Sequence, residues 1–139
     1  MLSTLVCDSG VVYAGLDGND SRHGECAALL EEAAGGIVIP ALAVVEVDWL
    51  GQTRGRHDAA ARLIASVDDG TAMLADLDIH GYRRVRHLIR QYASLPLDIV
   101  DASVIAIAER LEETTIATLD RRHFSIVRPL HCEAFTLVP

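Results

Sequence analysis

Four carboxylates in this sequence stand where solvation alone does not explain them. Asp8 follows the apolar run Leu2–Cys7, and Asp120 follows Ile116-Ala117-Thr118-Leu119. Both therefore fall at the carboxyl end of a short buried strand, the place where open α/β sheets bind ligands. Asp101 lies in the stretch Ile99–Ala108, whose only polar residues are Asp101 and Ser103. A helix so apolar on nearly every side must be buried. Between Ala41 and Leu50 only Glu46 and Asp48 are polar, and they stand about 200° apart around a helix. One of the two faces the core and the other water, and the pattern does not choose. Taken singly, Asp8, Asp98 and Asp120 could each be a helix cap, and Asp98 with Asp101 has the spacing of a capping box. Taken together, the buried acids would repel one another strongly unless neutralised. A divalent cation is the natural partner, because Mg2+ and Mn2+ prefer oxygen ligands. Carboxylate-held metal beside a phosphodiester is the apparatus of metal-assisted phosphoryl hydrolysis.

Composition removes several competing chemistries. All twelve basic residues are arginine against twenty acids, for a net charge of −8. Without lysine there is no Walker-type phosphate loop, no Schiff-base or pyridoxal chemistry, and no receiver-type lysine site. Cys7, Cys26 and Cys132 have no CxxC spacing, so neither a disulfide framework nor a zinc site is expected. The histidines and thiols do not make an iron or zinc set. No basic residue precedes Arg22, and the longest uncharged apolar stretch, Ala33–Val45, is 13 residues broken by two Gly and a Pro. That length is too short to span a bilayer. The expectation is one cytoplasmic domain over residues 1–139, without a membrane segment, and a core built from aliphatic residues since only 4% are aromatic.

The elements that must position the acids alternate. Leu2–Cys7 reads as a strand, Val11–Leu16 as a short helix, and Asp20–Ala34 as an amphipathic helix stopped by Gly35-Gly36. Ile37–Ile39 is a strand, after which Pro40 opens a helix to about Thr53, with Trp49 assigned to the core. A helix over Arg56–Val67, a strand over Thr71–Ala75 and a helix from Ile79 to Ala93 follow. Asp98 starts the next helix, to about Glu112, then come a strand at Thr115–Leu119, a helical turn from Asp120 and a strand at Phe135–Val138. Strands this apolar, alternating with helices, predict an α/β fold with a parallel sheet covered on both faces. On the Ile79 helix Tyr82, Val85, Ile89 and Tyr92 form an apolar stripe, and Arg83, Arg86, His87 and Arg90 a basic ridge that is either a solvated face or an RNA contact.

Over nearly its whole length the chain resembles the PIN-domain ribonucleases, in particular the VapC toxins of bacterial toxin–antitoxin pairs. The resemblance rests on Leu5-Val6-Cys7-Asp8-Ser9, on Val44-Val45-Glu46, on Leu95-Pro96-Leu97-Asp98-Ile99-Val100-Asp101-Ala102, and most specifically on Thr118-Leu119-Asp120-Arg121-Arg122-His123-Phe124. It implies a three-layer α/β/α sandwich around a parallel, mainly five-stranded sheet. Asp8, Asp101 and Asp120 would then hold Mg2+, with Mn2+ as a substitute, and Glu46 rather than Asp48 would complete the catalytic set. Ser9 and Thr118 would support it; Thr118, two residues before Asp120, shares its side of the strand. Arg121, Arg122 and His123 would grip a substrate phosphate, where many relatives carry another acid. The resemblance further implies an RNA substrate, a VapB-like antitoxin, a homodimer, and a groove walled by Val11–Leu16, Asp20–Ala34 and Arg56–Val67. A haloacid-dehalogenase-like phosphatase would need DxD and a lysine. A non-catalytic PIN-type module would usually lack one or more of the four acids, and all four are present.

Overall fold

A computed structural model of the chain describes residues 4–139; Leu2 and Ser3 of the predicted first strand lie outside the described residues. Among the described residues there are five strands: β1 (Leu5–Cys7), β2 (Ile37–Pro40), β3 (Ala72–Ala75), β4 (Thr115–Ala117) and β5 (Thr136–Val138). All pair in parallel, in the order β3-β2-β1-β4-β5, with Val6 opposite Val38 on one side and Ile116 on the other. The helices are α1 (Ser9–Leu16), α2 (His23–Glu32), α3 (Ala41–Thr53), α4 (Ala59–Asp68), α5 (Ile79–Gln91), α6 (Ile99–Leu111) and α7 (Arg121–Ile126).

The alternation of side chains along each strand divides the core in two. Val6, Val38 and Ile116 face the layer holding α5, α6 and α7, where Leu88, Ile105 and Phe124 are fully buried. Leu5, Cys7, Ile37, Ile39 and Ala117 face α1 to α4, packing on Val11, Tyr13, Val47 and Leu63. The result is the three-layer α/β/α sandwich. Among the described residues no helix is long and apolar enough to cross a membrane. Pro40 ends β2, paired with Ala75, and stands just before α3 instead of inside its first turn.

The corner between α3 and α4 closes backbone against backbone at Gly51. A Cβ there would lie 2.5 Å from the Arg56 carbonyl oxygen and 2.8 Å from the Ala59 Cβ. Gly51→Ala should therefore destabilise the protein by about 1–3 kcal/mol, despite the better helix propensity of alanine. Gly24 in α2 has open space around it, so Gly24→Ala should stabilise by up to about 1 kcal/mol. Urea unfolding of the two variants checks the opposite signs.

Candidate active site

Each acid reaches the carboxyl edge of the sheet through its own element. Asp8 leaves β1 and caps α1, accepting from the Ser9 N–H at 2.8 Å. Asp98 caps α6, accepting from the Asp101 N–H at 2.8 Å. Asp120 caps α7, accepting from the His123 N–H at 3.4 Å. Capping and site chemistry thus coexist, and three helix N-termini converge on the same negative charge, which their dipoles favour. Thr118 links the central strands: its hydroxyl donates to Asp8 Oδ2 at 3.0 Å and accepts from the Asp120 N–H at 3.0 Å. Glu46, from α3, accepts from the Ser9 hydroxyl. Asp48 is exposed and bonded to Gln52 at 3.4 Å, so α3 turns Glu46 inward and Asp48 to water.

The arrangement raises the acids' affinity for protons. Burial pushes the Asp8 carboxyl up to about 6, helped by Glu46 and Asp98 and opposed by the Ser9 N–H and the Thr118 hydroxyl. Asp101, 8% exposed, is raised as well, by burial first and then by Asp98 and Asp8, with His123 opposing. The Cys7 thiol beside Asp8 is pushed up to about 12 by burial and by the Asp8 charge. It is no nucleophile at neutral pH. Replacing Thr118 by Val keeps the shape but strands Asp8 Oδ2 and the Asp120 N–H. We expect a loss of about 1–3 kcal/mol and an Asp8 carboxyl that titrates still higher, read by NMR titration of the side-chain carbonyl.

His123, which follows Arg121 and Arg122, turns its ring to the carboxylates. Its Nδ1 lies 3.1 Å from Asp101 Oδ2 and 3.1 Å from Asp120 Oδ2. A single Nδ1–H can be aimed squarely at only one of them. One donor atom from each of the three residues falls within 4.8 Å of the others. A cation with ligand distances of about 2.1 Å sets adjacent octahedral ligands about 3 Å apart, so the donor set fits a divalent metal, and its nitrogen suits Mn2+ as well as its oxygens suit Mg2+. The sequence carried a signal for this: His123 stands three residues after the capping Asp120, the spacing at which a side chain reaches back to its cap.

The neighbouring residues divide. Arg121 turns its guanidinium to the carbonyls of Leu137 and Pro139, so its bonds tie α7 to β5. Arg122 is exposed. Trp49 is not in the core as expected: it is 62% exposed, with Val45 at 71% one turn before it. Helix α3 is apolar around more of its circumference than the sheet and its neighbours cover.

The PIN domain family model matches residues 5–128. The chain belongs to the PIN-domain family. Within that family this PIN domain is similar to ribonuclease VapC26 of Mycobacterium tuberculosis, 28% identical over 135 residues, 97% of this chain and all of the relative. Among solved structures it is similar to VapC20 of the same organism, described as a sarcin-ricin loop cleaving toxin, with a TM-score of 0.74 and 15% identity over 81% of this chain and 87% of that one. The latter likeness is one of fold. The VapC resemblance and the α/β/α architecture expected from the sequence of this PIN domain are both found.

Proposed function

We propose that this PIN domain is a divalent-metal-dependent endoribonuclease toxin of the VapC type, acting on cytoplasmic RNA and restrained by a VapB-like antitoxin. One observation carries the reading: Asp101, Asp120 and His123 bring donor atoms within 4.8 Å of one another at the carboxyl edge of β1 and β4, and Asp8 stands beside them, tied to Asp120 through Thr118. Asp101, Asp120 and His123, with Asp8 beside them, would hold Mg2+ or Mn2+. Bound there, such a cation supplies Lewis-acid polarisation of a phosphoryl oxygen and acidifies water.

The chain's own groups do the rest. Glu46, anchored by the Ser9 hydroxyl, is placed to take the proton of the attacking water. Thr118 fixes Asp8 and the start of α7 together, which keeps the carboxylates in one orientation through the reaction. Arg122 offers a guanidinium to the non-bridging oxygens of the phosphate. No side-chain nucleophile is required.

For partners, an apolar cleft of about 320 Å³ lies between α1, α2 and α4, lined in part by Val12, Leu16, Ala27, Leu30 and Leu63; it suits the apolar segment of an antitoxin. Leu42, Val45 and Trp49 share one face of α3, the surface that a second copy would cover in a homodimer. The test is a labelled single-stranded RNA incubated with purified protein in chelator, Mg2+ or Mn2+. Internal cleavage only with a cation is the expected result. RNA bound but uncut under every condition would assign the chain to the binding-only PIN modules instead.

A further inference from the structure

A chain of net charge −8 has to concentrate its cations to hold a polyanion. Seven of the twelve arginines are spent on internal partners, either carboxylates or backbone carbonyls; Arg84 is the most firmly held, in a two-point pair with Glu109 at 2.7 and 2.9 Å. The remaining five, Arg83, Arg86, Arg90, Arg122 and Arg128, have no such partner among the described residues. They are not scattered. Arg83, Arg86 and Arg90 share with His87 the face of α5 opposite buried Val85 and Leu88, and together they line a shallow open groove. From Arg83 to Arg90 this row is about 10 Å long.

The direction of the row is fixed at both ends. Arg110, in the last turn of α6, donates to the Asp76 carbonyl just ahead of α5 at 2.7 Å, and Arg84 midway along α5 pairs with Glu109, so the start of α5 lies against the end of α6 and the two helices run antiparallel. At the other end the Tyr92 hydroxyl accepts from the Arg128 N–H at 2.9 Å, joining α5 to the segment that leaves α7. The chain then returns through Asp98, the cap of α6, to Asp101. Arg90 is therefore at the end of α5 nearest the carboxylates, and Arg83 is farthest away.

We infer that the α5 face of Arg83, Arg86 and Arg90 is a phosphate track that holds the flank of an RNA whose scissile bond lies at the carboxylates. The choice of RNA rests on the ribonuclease reading; the track itself is tested by binding, which needs no hydrolysis. Unpaired guanidiniums in a row match the repeating phosphates of a nucleic acid chain, and each neutralised phosphate releases counterions.

The experiment measures binding of a fluorescein-labelled single-stranded RNA in chelator as a function of salt. It compares wild type, the triple variant Arg83→Gln/Arg86→Gln/Arg90→Gln, and a control of equal charge change, Arg22→Gln/Arg54→Gln/Arg56→Gln. The α5 variant should bind about 100-fold more weakly at 0.1 M salt, and its salt slope should fall by about 2, as expected for three lost phosphate contacts. The control should stay within a few-fold of wild type. Equal affinity and slope in wild type and the α5 variant, or an equal loss in the control, overturns the track while leaving cation-dependent cleavage to stand. Wild type that binds RNA through this face yet never cuts it supports the track and sinks the nuclease reading. Unaltered RNA binding alongside loss of poly-glutamate binding in the α5 variant would assign the face to an acidic protein, against the inference.

Discussion

Asp101→Asn should cut RNA at no more than about one hundredth of the wild-type rate, the usual cost of removing one key electrostatic group. The substitution preserves shape. The Asp98 cap on α6 uses the backbone N–H of Asp101 and not its side chain, so the helix start survives. What is lost is a charged oxygen that sits 3.1 Å from His123 Nδ1 and belongs to the three-residue donor set. The comparison that isolates this role is Asp98→Asn. It removes the same charge from the same helix, yet asparagine caps as well as aspartate, so its loss should stay below about tenfold. Single-turnover cleavage at saturating Mn2+ separates the two. Equal rates for Asp101→Asn and Asp98→Asn would mean that Asp101 contributes only general negative potential, and the metal-ligand role would be lost.

The sequence was most informative where burial left a residue few alternatives. Asp101 stands out because α6 is buried on nearly every side, so any polar residue in it must have a purpose. Asp8 and Asp120 stand out because strand ends of a parallel sheet meet at one edge. Glu46 and Asp48 illustrate the limit of pattern: helical period says that they diverge, but only the packed neighbours, Ser9 for one and solvent with Gln52 for the other, say which way each goes. Trp49 failed for a related reason. Apolar character predicts burial, but α3 carries more apolar surface than the described residues cover, leaving Trp49 62% exposed. His123 shows the same limit: its charge type groups it with Arg121 and Arg122, while its position after the cap Asp120 brings its ring to the carboxylates.

Without a cation, Asp8→Asn should melt higher than wild type at pH 7.5. In the folded chain Asp8 titrates at about 6 against an ordinary value of 3.8. The folded protein therefore holds more protons than the unfolded chain between those values, and stability falls as pH rises through that window. Above about pH 6 the penalty is fully present, and a rise of that size corresponds to about 3 kcal/mol as a ceiling. The substituted asparagine removes it without disturbing the bonds: its carbonyl can accept from the Ser9 N–H, and its amide can donate to the Thr118 hydroxyl, which keeps a lone pair for the Asp120 N–H. Asp8 is the cleaner probe because Asp101 already has an imidazole within hydrogen-bond reach. The gap between variant and wild type should open from about pH 4 to pH 6 and close again below pH 4. Adding Mn2+ at about 100 times its Kd should raise wild-type stability by about 2.7 kcal/mol, since only the folded chain assembles the ligands. The variant should gain less, and Asp48→Asn, altered at an exposed position, should track wild type throughout. A chelator series in which Asp8→Asn melts below wild type, with Asp48→Asn unchanged, would show that the Asp8 charge is needed by the α1 cap itself. The stored repulsion that a cation is argued to relieve would then not exist.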